Sequence, residues 1–84
     1  MTNNLAKQRK PAKPLPPDPE QRNDQRAQSA DAALLEFRRL TGAGAGDAVS
    51  DLLADLLHWC DRHGQDFDAE LRHGRNHYEV ETEI

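Results

Sequence analysis

Residues 47–83, DAVSDLLADLLHWCDRHGQDFDAELRHGRNHYEVETE, decide the fold, because an apolar helix, a glycine-marked turn and a second, acidic helix follow one another there. At about 100° per residue, Val49, Leu52, Leu53, Leu56, Leu57 and Cys60 occupy one broad face, with Trp59 at its margin. Asp47, Asp51, Asp55, His58 and Arg62 gather on the opposite side. The pattern predicts a helix over 47–63, capped by Asp47 and stopped by Gly64. Its apolar stripe is wider than a single antiparallel neighbour covers, which predicts contact with two helices or with another subunit. Leu56 lies mid-stripe, so it is expected in the core, where Leu→Ala costs ~2 to 5 kcal/mol.

After the turn HGQD a further helix is expected over 66–79, with Asp66 as N-cap and Asp68 and Glu70 favourable in the first turn. Phe67, Leu71, Tyr78 and Thr82 share one face of it. Gly74 interrupts that face and marks either a close approach to Trp59 or Leu56 or a tolerated weak spot. The acidic end EVETEI opposes the negative pole of the helix, so fraying is expected from Glu79 onward.

Upstream, Asp18, Pro19 and Glu20 have the chemistry of a helix start. Ala27, Ala30, Ala33, Leu34, Phe37 and Leu40 then recur at steps of three and four, which predicts a helix over 19–41 with fraying early turns. The run from Gly42 to Gly46 ends it and supplies a flexible connection. That run lacks a preceding strand, a following Lys-Ser/Thr pair and the third glycine of a dinucleotide fingerprint, so it reads as a linker.

Charge marks the domain boundary. Residues 1–17 carry Lys7, Arg9, Lys10 and Lys13 with no acid, plus four prolines, whereas residues 31–84 hold twelve of the fifteen acids against five arginines. The first 17 residues bury too little to offset their ordering entropy, which predicts a disordered, basic, proline-rich tail ahead of a helical domain spanning 18–84. With 84 residues, 36% apolar composition and a mean hydropathy of −0.95, the core is expected to be thin. A single core of this size seldom supplies more than ~3 to 5 kcal/mol, and small domains commonly add a disulfide, a metal or a partner subunit. Cys60 is the one cysteine, at an apolar helical position, which predicts a buried free thiol in a reducing compartment such as the cytoplasm. Neither a signal peptide nor a membrane-spanning run is expected.

No residue pattern here specifies catalysis. Asp55-x-x-His58 and Glu70-x-x-His73 repeat the carboxylate-x-x-His spacing of helical di-metal sites, and His73 and His77 lie one turn apart. Those ligands fall opposite or beside the apolar stripe rather than inside it, so no metal and no cofactor is expected. The same geometry, with a missing second glutamate pair, argues against an all-helical nucleotide pyrophosphohydrolase. Ser29, Thr41, Ser50 and Cys60 stand on no strand-to-helix elbow, and the chain is not expected to be an enzyme. A helix-turn-helix reading meets a recognition helix with three acids at each end, so direct nucleic-acid binding is not expected either.

The run LLADLLHWCDRHGQDFDAEL followed by HYEVET resembles the C-terminal signature of small bacterial proteins encoded by prophages, plasmids and integrative elements. The resemblance covers roughly residues 34–82 and rests on the Trp-Cys-Asp-Arg and Asp-Phe-Asp strings. It implies a mobile-element setting and a compact helical body, with no activity or catalytic residue to carry over. His63, His73 and Gly74 depart from it toward less helix-favouring residues.

The expected architecture is therefore all-α: a three-helix, antiparallel, bundle-like domain behind a disordered tail. The leading functional expectation is a protein interaction module, homo-oligomer or adaptor, whose interface is built from Leu35, Leu53, Leu57 and Trp59. The alternative is an acidic inhibitor that uses Asp47, Asp51, Asp55, Asp66, Asp68 and Glu70, with Glu79, Glu81 and Glu83, to occupy the nucleic-acid-binding groove of a host defence complex.

Overall fold

The computed structural model describes residues 14–83, so the tail expectation for residues 1–13 lies outside the described residues. Among these the fold is all-α, with α1 spanning Arg22–Thr41, α2 Ala48–His63 and α3 Phe67–Glu81. Residues 14–17, which the sequence assigns to the tail, have no regular secondary structure.

The first helix starts at Arg22, three residues later than the sequence suggests. Asp18, Pro19, Glu20 and Gln21 form a turn closed by the Gln21 N–H donating to the Asp18 carbonyl at 3.1 Å. Proline suits the second position of such a turn. Asp18 still caps the helix across this turn, its Oδ1 accepting from the Asn23 N–H (3.1 Å) and its Oδ2 from the Asp24 N–H (2.9 Å). Gln21, between them, is held in the left-handed region at φ 59°.

Glycine ends both α1 and α2. Gly42 (φ 75°) donates to the Arg38 carbonyl, and Gly64 (φ 67°) donates to the Cys60 carbonyl. Both positions need a backbone conformation that glycine adopts without a Cβ penalty. The Gly42–Gly46 linker is pinned rather than loose: Arg38 Nε donates to the Ala43 carbonyl at 3.1 Å, and Thr41 Oγ1 accepts from the Ala43 N–H at 3.2 Å. Asp47 occupies the N-cap position of α2 without a side-chain capping bond, because its backbone is already helical (φ −108°, ψ −9°). Asp66 does cap α3, from an extended conformation, with Oδ1 accepting from the Ala69 N–H at 3.1 Å.

The far end of α3 returns to the beginning of α1. Asn23 Nδ2 donates to the Glu81 carbonyl at 2.9 Å, and Arg26 pairs with the Glu81 carboxylate at 3.2 Å. Thr82 Oγ1 donates to the Tyr78 carbonyl. These partners explain why α3 runs to Glu81 instead of fraying from Glu79: a cation from α1 offsets the acid at the negative helix pole. The three helices thus close a circuit, α1 to α2 through the glycine linker, α2 to α3 through the Gly64 turn, and α3 back to α1. The result is a thin body of 39 × 36 × 19 Å.

Little of this body is interior. Among the described residues Ala48 and Cys60 are the buried apolar ones, and Leu34, Phe37, Leu52 and Phe67 are partly covered. Leu56, expected at the centre of the core, remains 39% exposed. The physical reason is the short linker, which sets Phe37 and Thr41 of α1 beside Asp51, Ala54 and Asp55 of α2 and leaves the middle of the stripe open. On the outer surface Glu36 and Arg39 form a two-point pair that holds the Glu36 carboxyl below the usual carboxylate range. Both groups are fully exposed, and the pair adds little to the fold.

Gly74 meets no neighbouring atom where a Cβ would stand, which selects the weak-spot reading over a close helix approach. Gly74→Ala should therefore raise stability by about 1 kcal/mol, read from the urea midpoint at unchanged slope. Asp18→Ala removes both capping acceptors and should lower stability by about 1 kcal/mol in the same titration.

Candidate functional site

The α2 stripe supplies the most prominent surface of the chain. Val49, Leu53 and Leu57 follow one another at four-residue steps and form a continuous exposed row. Leu53 is 41% exposed and Leu57 45%, and Leu56 stands beside them with similar exposure. Trp59 is 50% exposed at the opposite margin of the stripe, past Leu56 and Cys60. Its indole stacks on the His63 ring, with centroids 4.1 Å apart and planes 12° from parallel, and His63 Nδ1 lies 2.8 Å from the Trp59 carbonyl oxygen. The tryptophan is thereby held in a fixed orientation at the rim of the apolar surface.

Of the four residues singled out as an interface, Leu53 and Leu57 share one row, Trp59 borders the same stripe, and Leu35 sits on α1, 37% exposed. Val49, Leu56, Leu71 and Tyr78 are equally open, although Leu56 was expected in the core. Leu71 and Tyr78 come from α3, so the exposed apolar surface is not confined to one helix. Tyr78 also lines a cleft with Leu15, Pro16, Ala27 and Thr82, at the corner where α3 meets α1.

The acidic set divides in two. Asp47, Asp51 and Asp55 form a row along α2, with Asp51 and Asp55 in a shallow recess beside Phe37, Thr41 and Ala54. Asp66, Asp68 and Glu70 cluster at the start of α3, where the positive helix pole favours them. All six are exposed, and none takes part in an ion pair among the described residues. In the middle of α1, the Asp31 Oδ1 atom is shielded from solvent without a hydrogen-bond partner among the described residues.

Among the described residues no three His, Cys, Asp or Glu side chains come together in a way that would hold a metal ion. Asp55, His58, Glu70, His73 and His77 are each exposed, and Cys60 is a buried free thiol. No described helix is long and apolar enough to cross a membrane. Comparison with protein-family models, with curated proteins and with solved structures finds no match to this chain. Function therefore has to be argued from the surface itself.

Asp55 stands one turn from Asp51, too far along α2 to gain from the helix N-terminus, and like charges at this spacing are destabilising. Asp55→Lys should convert the repulsion to an attraction and stabilise the chain by about 0.5 kcal/mol in chemical denaturation. A loss of stability would mean that the carboxylate has a structural partner.

Proposed function

We propose that this chain is a protein interaction module, an adaptor without enzymatic activity, that works in the cytoplasm of a host carrying a mobile genetic element. The observation that carries this reading is the exposed apolar surface of α2 and α3, in a body with only Ala48 and Cys60 as buried apolar residues among those described. Contiguous exposed apolar area on a small protein marks a place where another macromolecule binds. Two aromatic residues, Trp59 and Tyr78, lie half-exposed in it, and aromatic side chains are the residues most enriched where interfaces are tightest. Leu35, Leu53, Leu57 and Trp59 are the proposed contacts. The mobile-element setting rests on the Trp-Cys-Asp-Arg and Asp-Phe-Asp resemblance.

A second reading has its own observation, the six exposed carboxylates without ion-pair partners. As an acidic inhibitor, the chain would use Asp47, Asp51, Asp55, Asp66, Asp68 and Glu70 to cover a basic groove that normally holds nucleic acid. Screening separates the two modes, since contacts between exposed charges weaken with salt and apolar contacts do not.

The test is affinity capture with the full tagged chain from nuclease-treated lysate of its own host, comparing wild type with Leu53→Asp and Leu57→Asp. The apolar module predicts a stoichiometric protein, another copy or another chain, that survives a high-salt wash and is lost with both variants. A partner released by salt and unaffected by the leucine changes, but lost with Asp51→Asn and Asp55→Asn, would instead establish the acidic inhibitor. Capture of nothing but bait that ignores all four substitutions would reject both.

A further inference from the structure

The cleft at the corner where α3 returns to α1 lies apart from the α2 surface, and we infer that it binds a small primary amine carried on a flat apolar body, an arylalkylammonium ion. The cleft holds about 420 Å³, within the roughly 300 to 1,000 Å³ of small-molecule sites. Its surface is mainly carbon, from Leu15, Pro16, Ala27 and the Tyr78 ring. Pro16 is partly covered there, and proline, with its φ fixed by the ring, keeps such a wall in place at little cost in chain entropy.

An apolar pocket with a few convergent polar groups is the usual form of a ligand site, and here the polar groups select the sign of the ligand. Asp18, Asp24 and Glu81 line the cleft against one cation, Arg26, so three carboxylates face one guanidinium. The positive pole of α1 and the negative pole of α3 meet at this corner and offset each other, which leaves the side chains to set the field. Arg26 is already engaged, with the Glu81 carboxylate at 3.2 Å and with Asn23 Oδ1 at 2.7 Å. Both Asp18 oxygens accept from backbone amides of α1. Asp24 differs: its Oδ2 accepts from Gln28 Nε2 at 2.7 Å, while its Oδ1 accepts no hydrogen bond among the described residues. The Tyr78 hydroxyl makes none among them either.

An ammonium group supplies what these two oxygens lack. Its N–H groups donate to carboxylate and phenol oxygens alike, and the face of the Tyr78 ring attracts a cation. A carboxylate or phosphate ligand would be repelled by the excess of acids in the lining. An uncharged aromatic would cover the carbon surface and leave the Asp24 oxygen unanswered. Because Asp24 belongs to α1 and Tyr78 to α3, a bound amine ties the first helix to the last, and occupancy is linked to the stability of the fold.

The experiment is an NMR titration of the full isotope-labelled chain with phenethylamine, phenethyl alcohol and phenylacetate, which share an aromatic ring on a short arm and differ in charge. The expected result is saturation by phenethylamine at concentrations on the order of millimolar, with amide shifts centred on Asn23, Asp24, Ala27 and Thr82. The alcohol should bind about fivefold more weakly, and the acid not measurably. Phenethylamine at about ten times its Kd should raise the Tm by roughly 5 to 10 °C. Asp24→Asn should weaken the amine about fivefold and leave the alcohol unaffected, whereas a misfolded variant would lose both together. Shifts confined to the surroundings of Leu53, Leu57 and Trp59, equal binding of all three probes, or an amine affinity indifferent to Asp24→Asn would overturn the inference. So would the absence of saturable shifts, whatever keeps the probe out. None of these outcomes bears on the α2 surface, which its own capture experiment tests.

Discussion

Everything in this protein follows from a mismatch between the width of the α2 apolar stripe and the cover that the rest of the chain can provide. The stripe runs from Ala48 and Trp59 on one margin to Leu57 on the other, about half the circumference of the helix. The linker that joins α1 to α2 is short and pinned at Ala43, and it sets Phe37 and Thr41 of α1 beside Asp51, Ala54 and Asp55 of α2, away from the middle of the stripe. The turn at Gly64 is shorter still, and it leaves Leu71 and Tyr78 of α3 half-open. Apolar burial is the main favourable contribution to folding, and here much of that potential is left on the surface.

Polar contacts compensate in part, and they are placed where the helices end. Asp18 satisfies the first amides of α1, Asp66 caps α3, and Asn23 with Arg26 holds the last turn of α3. Such bonds define where each helix stops and which ends meet. Their net contribution to stability is modest, about 1 kcal/mol for a typical bond, so they specify the arrangement more than they secure it. A body organised in this way keeps its helices in position while leaving an apolar face exposed.

Much of the fold was legible in the sequence because its signals are local. Periodicity located the three helices, and Gly42 and Gly64 marked the ends of α1 and α2. Asp66 was legible as a cap because the chain enters α3 extended. Asp47 was misleading, since its backbone is already helical and its carboxylate is not aimed at the free amides. The start of α1 shifted because Pro19 serves the turn before the helix. The persistence of α3 to Glu81 was illegible, since it depends on Asn23 and Arg26, far away along the chain. Of the candidate surface, the sequence identified the α2 stripe and the acid rows but not the depth of burial along the stripe. Burial depends on the direction in which the linker sends α1, and no periodicity encodes that direction. Leu56 consequently looked like core and proved to be 39% exposed.

The bond from Asn23 to the Glu81 carbonyl joins two residues 58 positions apart and sets the entrance and the exit of the helical body side by side. Neighbouring ends allow the chain to be joined there and opened elsewhere. Opening it within Gly42–Gly46 interrupts no helix and releases the linker that holds α1 in place, so it separates what the linker imposes from what the Asn23 and Arg26 contacts hold. A circular permutant beginning at α2 would then carry the basic N-terminal segment as an internal loop between α3 and α1, with the apolar stripe unchanged.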